Sequence, residues 1–271
     1  MSYEGKIDLW INIYCKGEYD KMAEYTISEE CTLPSKGLVY KQSVNPNLKI
    51  RSMTTEEEMK RLGHSDLPYK ILPEIIDDCL IEKPGIKTYD MCIADYQYLL
   101  FRLRVATYGS KYKISTICPI CGKINEQEID LDSLKVTPYS EELNKYLTIE
   151  SLPKSNDKIE LRMQTPRLLD EIVSKKNKLT NKSEITGDPA FLFTLQSLIA
   201  KVNNVVYDPI KLDSYIRRMP AADSNYIMKV AKKLNDSFGL DTTQTCKCTQ
   251  CGGEFNYQLP ITGEFFGPDI D

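Results

Sequence analysis

The chain has 271 residues, 41% of them apolar and 27% charged, with a formal net charge of −4. The composition is that of an ordinary globular protein, long enough for one large domain or two modest ones. A mean hydropathy of −0.38 and the lack of any run near the roughly 18–20 uninterrupted apolar residues of a spanning helix argue against a membrane protein. The acidic balance argues against a stand-alone nucleic-acid binder, whose affinity comes from neutralising phosphates.

The opening MSYEGKIDLW carries acids and no apolar run after them, so it does not read as a secretory signal. Nine cysteines, an odd number, then point to a reducing compartment. In residues 1–35 the only strongly apolar cluster is Leu9-Trp10-Ile11. This stretch reads as a surface arm or first strand, or, over residues 20–28, as a short helix that packs against a partner.

Leu38-Val39-Tyr40 and Leu48-Lys49-Ile50-Arg51 flank Asn45-Pro46-Asn47 and predict an extended pair around a turn. Thr55 with Glu58 fits a capping box at the start of a helix that ends at Gly63. Ile71, Ile75, Ile76, Cys79 and Leu80 set an apolar stripe on a second helix over 67–82, with Pro73 near its true start. A third helix runs from about Ile93 to Thr107. Tyr96, Leu99, Leu100 and Leu103 form its buried stripe, Arg102 and Arg104 lie off it, and Gly109 closes it.

Lys111–Ile117 reads as a strand, with Ile124–Leu131 as its return, so Cys118-Pro119-Ile120-Cys121-Gly122 sits at a hairpin tip. Beyond residue 133, Leu147–Leu152 and Lys158–Met163 predict a second hairpin. Thr165-Pro166 and Asp188-Pro189 each signal a helix start. The second of these helices runs to about Val202 on Phe191, Leu192, Leu195, Leu198 and Ile199, and an exposed loop is expected over 175–183. A short helix over 214–218 and a longer one over 221–238 follow. Thr242–Lys247 and Glu254–Leu259 then flank Cys248-Thr249-Gln250-Cys251-Gly252.

The two C-x-x-C-G motifs carry the only recognisable chemistry. Two thiolates three positions apart grip one face of a tetrahedral ion, and the following glycine lets the backbone turn tightly around the sulfurs. Two such knuckles between strand-like flanks predict one structural Zn²⁺ on Cys118, Cys121, Cys248 and Cys251. Cys121 and Cys248 stand 127 positions apart, far beyond the usual spacing, which implies a ribbon split by an insert. Cys246 offers an alternative to Cys248, and a pair of redox dithiols is the alternative to zinc, although the βαβ context of such dithiols is lacking. The expected class is therefore α+β, mostly helical, with a split four-cysteine zinc ribbon made of two β-hairpins. Its segments are an arm (1–35), a helical region with the first zinc hairpin (36–132), a hairpin-plus-helical insert (133–240), and the second zinc hairpin with an aromatic tail (241–271).

A closed four-sulfur site has no open position for water, so it cannot act as catalytic zinc does. The only histidine is His64, and no P-loop, G-x-S-x-G or G-x-G-x-x-G is present. Acid pairs such as Asp77-Asp78 and Glu141-Glu142 read as solvated faces. No catalytic residue and no small-molecule cofactor is therefore expected. Phe265-Phe266 either folds back onto the core or serves as a docking peptide.

The run Lys49-Ile50-Arg51-Ser52-Met53-Thr54-Thr55-Glu56-Glu57-Glu58 resembles the R-x-M-T-T-x-E-E segment of base-plate proteins from large contractile-tail bacteriophages. The stretch from Phe101 to Tyr112 leading into Cys118–Gly122, the block Ile129–Leu134, and the closing Cys248–Gly252 followed by Phe265-Phe266 are similar to later blocks of that family, in the same order. The resemblance implies a T-even-type base-plate hub component or hub-assembly factor, structural or chaperone-like. It implies hub, tail-tube or tape-measure proteins as partners, with host cytoplasm during assembly and the virion tail as locations. The alternative is a zinc-ribbon transcription or replication factor, which needs basic residues around the knuckles. Lys111, Lys113, Lys123 and Lys247 are there, offset by Glu126, Glu128, Asp130 and Glu254.

Overall fold

The computed structural model describes residues 27–180, 189–259 and 263–266. Among them, helices alternate with five small antiparallel sheets, so the α+β class holds. Short strands recur from residue 28 to residue 258, with helices alone among the described residues of 166–198 and 209–235, so the chain mixes both kinds of element. No described helix is long and apolar enough to cross a membrane.

The first sheet pairs β1 (Ser28–Thr32) with β2 (Asn47–Arg51), in the register Glu30 opposite Lys49. The expected partner, residues 38–40, is not extended, because Lys36 and Gly37 both take left-handed backbone angles. The loop is then tied down by a buried carboxylate. Ser35 Oγ and Tyr40 Oη donate to the same oxygen of Asp95, at 2.5 and 2.6 Å, and the Ser35 N–H donates to the other at 2.9 Å. Most of the expected helix over 20–28 lies outside the described residues, and its last residue, Ser28, begins β1.

The capping box falls one residue earlier than predicted. Helix α1 (Thr55–Leu62) is capped by Thr54 with Glu57, because Glu57 also meets the Arg51 guanidinium at 2.6 Å. Helix α2 (Ile71–Cys79) carries Pro73 at its third position, where the missing N–H costs no hydrogen bond. Helix α3 (Ile93–Tyr108) buries the predicted stripe, and Gly109 ends it at φ +86°.

The expectation for Arg104 is corrected. It is 0% exposed, because α3 buries residues around most of its girth, so a position off the main stripe is still inside. Its charge is met by carbonyls and rings. Nε donates to the Phe265 carbonyl at 2.8 Å and Nη1 to the Gly109 carbonyl at 2.9 Å, with the guanidinium over Tyr108 and Tyr112. Arg102 stays partly exposed and pairs with Glu29 and Asp132.

Strands β3 (Lys111–Ile117) and β4 (Ile124–Asp130) form one hairpin. Two-residue β5 (Val136–Thr137) follows, and then a second sheet system. Strands β6 (Thr148–Ile149) and β7 (Ile159–Leu161) make the predicted hairpin. Helix α4 (Pro166–Thr180) runs through part of the expected loop, since a polar composition without a breaker does not stop a helix. Helix α5 (Pro189–Leu198) ends sooner than expected. Ile199–Val202 becomes β8 and pairs with β7, Glu160 opposite Lys201. Phe193, not Phe191, is the buried aromatic of α5. Helix α6 (Pro209–Arg218) starts earlier than predicted, because Asp208 caps it. Helix α7 (Ala221–Asn235) follows, then β9 (Gly239–Leu240) on β5, and finally β10 (Thr243–Lys247) with β11 (Glu254–Gln258).

Two apolar clusters organise these elements. The larger joins α2, α3 and the first sheet to Tyr112, Ile114, Cys246, Leu259, Phe265 and Phe266. Both tail aromatics are buried, so the docking-peptide expectation is overturned. Phe265 packs on Phe101 with ring centroids 4.6 Å apart. The second cluster gathers β6, β7, β8, α5, α6 and α7 around Ile159, Leu195 and Ile227. A smaller seam of Cys92, Tyr139, Leu234 and Phe238 lies between them.

Candidate metal centre

The hairpins β3–β4 and β10–β11 end in knuckles with the same backbone. Gly122 N–H donates to the Cys118 carbonyl and Gly252 N–H to that of Cys248, both at 2.9 Å. Cys118 N–H donates to the Lys123 carbonyl and Cys248 N–H to that of Gly253, again at 2.9 Å. Gly122 and Gly252 share φ +71°, an angle that side-chain-bearing residues rarely take. The repeated C-x-x-C-G pattern is therefore a repeated turn.

The two turns face each other. Cys118 and Cys251 place their sulfurs 3.8 Å apart, as do Cys121 and Cys248, and all four sulfurs lie within 4.8 Å of one another. A tetrahedral ion with metal–sulfur bonds of about 2.3 Å sets its sulfurs roughly 3.8 Å apart, so the cluster has the size that such an ion needs. Cys118 and Cys248 are buried, while Cys121 and Cys251 face solvent. The site is thus at the surface, closed on its inner side.

Neutral contacts also join the knuckles. Asn125, wholly buried on β4, accepts from Thr249 N–H at 3.0 Å and from Thr249 Oγ1 at 3.3 Å. Gln127 Nε2 donates to the Lys247 carbonyl. A Cβ on Gly253 would lie 2.4 Å from Ile120 Cδ1, so the two loops approach closely there, and the exposed Ile120 side chain would have to turn aside. Asn125 went unnoticed in the sequence. Its signal is the alternation along β4, where it shares the inward phase with Ile129.

The electrostatics favour a cation. Backbone N–H groups of Cys251 and Gln250 pull the Cys248 thiol down to about 6. The Gly253 N–H acts in the same direction on Cys251, but desolvation and the sulfurs of Cys121, Cys248 and Cys118 outweigh it and hold that thiol up at about 11. Four thiols this close resist ionising together unless a positive charge sits among them.

The other cysteines are elsewhere. Cys246 lies in β10 inside the larger apolar cluster, and burial pushes its thiol up. Cys31, Cys79 and Cys92 are buried in the core, and Cys15 lies outside the described residues. His64 is solvent-exposed beside Asp66. Asp77 is not on a solvated face. It accepts from Thr88 N–H at 3.0 Å and Thr88 Oγ1 at 2.7 Å, whereas Asp78 reaches Lys60 at the surface.

These features define an α+β protein built around a surface cluster of four cysteines with the donor set of a structural metal site. A model of the T4 bacteriophage base plate protein family matches residues 22–267, so the chain belongs to that family. No curated protein and no solved structure matches it at a significant level.

Proposed function

We propose that this chain is a structural or assembly component of the hub region of a contractile-tail base plate, held together by one Zn²⁺ on Cys118, Cys121, Cys248 and Cys251. The observation that carries the metal reading is the convergence of four sulfurs, at tetrahedral spacing, from two knuckles 127 positions apart. Bound zinc supplies the two positive charges that let four thiolates coexist, and with four protein ligands it leaves no position for substrate or water. The site's work is then to fasten residues 36–132 to 241–271 across the insert of 133–240, in keeping with the two apolar clusters.

The partners in this reading are hub, tail-tube or tape-measure proteins, with no small-molecule substrate and no membrane. Nucleic acid is disfavoured as a partner. Lys111, at the end of hairpin β3–β4 away from the knuckle, lies 3.3 Å from Asp130, and Lys113 has a partner of its own. Metal analysis of the purified protein is expected to give one zinc per chain. Co-expression with tail proteins is expected to give a stoichiometric complex. Absence of the chain from both mature particles and assembly intermediates overturns the base-plate reading. Absence of bound metal overturns the zinc reading.

A further inference from the structure

At one end of the second cluster the chain presents apolar side chains to water. Val202 and Val205 exchange backbone hydrogen bonds, both at 2.9 Å, around Asn203 and Asn204, which both take left-handed angles, φ +49° and +65°. Two adjacent left-handed residues make a tight hairpin turn that is uncommon without glycine. The fold fixes it with side chains. Asn203 Oδ1 accepts from the Lys158 N–H at 2.9 Å and its Nδ2 donates to Asp157 at 2.7 Å. What this turn delivers is exposed Val205 (51%) and Val206 (70%), with Ile210 (81%) just beyond. Exposed apolar groups that form a patch rimmed by polar residues mark interaction sites.

Beside it lies a groove of about 340 Å³, lined by Tyr207, Tyr215, Met219, Pro220, Lys211 and Arg218 among others. Tyr207 and Tyr215 meet edge to face, with centroids 5.7 Å apart, and Lys211 Nζ sits 4.1 Å from the Tyr207 ring. The carboxylates nearby are already engaged. Asp157 accepts from Tyr215 Oη at 2.8 Å as well as from Asn203, and Asp208 caps α6 through the N–H groups of Ile210 and Lys211. Among the described residues no carboxylate pairs with Lys211 or Arg218. In a chain with net charge −4, this face offers two cations with no carboxylate partner among the described residues, next to rigid aromatics and open aliphatic groups.

We infer that this groove and the Val205–Ile210 tip bind an extended segment of another tail protein, one that carries apolar side chains flanked by carboxylates. The aromatic walls and the valines take the apolar groups, and Lys211 and Arg218 take the carboxylates. This rests on the base-plate reading, which supplies the neighbour.

The test uses the full chain in assembled tail particles, with Ile210→p-benzoylphenylalanine as photocross-linker and the adduct mapped by mass spectrometry. The expected result is an adduct on a different tail protein, on a segment with at least two carboxylates near an apolar residue. Adding Lys211→Glu and Arg218→Glu is expected to cut its yield about tenfold or more, with the helical circular dichroism of the purified chain retained. Val206→Asp is expected to weaken it as well. An adduct only on copies of this chain or on nucleic acid, no adduct, or a yield indifferent to charge reversal overturns the inference. Any of these in particles that still contain the chain leaves the base-plate reading intact, whereas failure of the unsubstituted chain to enter particles overturns that reading instead.

Discussion

The cysteine hairpins and the second apolar cluster are stabilised by different means. In that cluster, the three-stranded β6–β7–β8 sheet has α5, α6 and α7 packed around Ile159, Leu195 and Ile227, none of which reaches solvent. The hairpins β3–β4 and β10–β11 are two-stranded. Toward the tip of the first, Ile117 and Ile124 face each other across the strands, both about two-thirds exposed. An isolated two-stranded hairpin is marginal in water at best. What joins the tips is side-chain chemistry: Asn125 with Thr249, Gln127 with Lys247, and four sulfurs close enough to share one ion. An enclosed apolar core needs no such fastening, and hairpins that reach beyond the core do.

Chelation tests this contrast most severely. With zinc bound as proposed, its removal, or Cys118→Ser, is expected to cost the hairpin region about 5 kcal/mol or more, since structural zinc contributes roughly 10–16 kcal/mol in small fingers. Hydrogen exchange followed by mass spectrometry is expected to show β3, β4, β10 and β11 losing protection while β7, α5 and α7 keep theirs. Equal loss in both regions would erase the distinction.

Arg104→Met comes next. It removes the charged hydrogen bonds to the Phe265 and Gly109 carbonyls and strands the first of them in the core, an expected loss of about 2 kcal/mol in urea unfolding. The effect belongs to the larger cluster, so protection of β7, α5 and α7 is expected to outlast it.

The region of the second cluster has a corresponding pin in Asp223, whose buried carboxylate accepts from the N–H groups of Lys154 and Ser155 at 2.8 and 2.9 Å. Asp223→Ala is expected to cost about 2 kcal/mol, read in β6, β7 and α7 and not at the knuckles.

The smallest effect is a pH dependence at Glu57. Burial pushes this carboxyl up, but Arg51 and both the hydroxyl and N–H of Thr54 outweigh it and hold it at about 2, against 4.5 ordinarily. The folded value lies below the unfolded one, so the stabilisation is complete above about pH 4.5 and is lost as pH falls toward 2. Against Glu57→Gln, the native chain is expected to gain about 1 kcal/mol at neutral pH, reduced by the partial exposure of Arg51. The gap closes on acidification. A gap constant with pH would place the stabilisation in packing.

Local chemistry explains what was legible in the sequence. The C-x-x-C-G pairs announced two turns, because only glycine takes φ +71° at ease. The period-two pattern of Lys111–Ile117 and the stripe of Ile93–Tyr108 announced a strand and a helix. Elements slipped where a remote partner decides. Residues 38–40 lost their strand to the pull of Asp95 on Ser35 and Tyr40, Ile199–Val202 left a helix pattern to pair with β7, and Arg104 went inside because Phe265 and Gly109 offer it carbonyls there.

The amino-acid sequence by itself determined that two identical knuckles exist and that four thiols suited to one ion stand on them, since both follow from spacing and backbone permissiveness within a few residues. Only the tertiary structure decided that the knuckles meet at 3.8 Å, that Asn125 bridges them, and that Cys246 turns into the core. Those outcomes depend on how α3 and the tail aromatics bring distant hairpins to one side of the molecule, and long-range packing of that kind leaves no periodic trace in the chain.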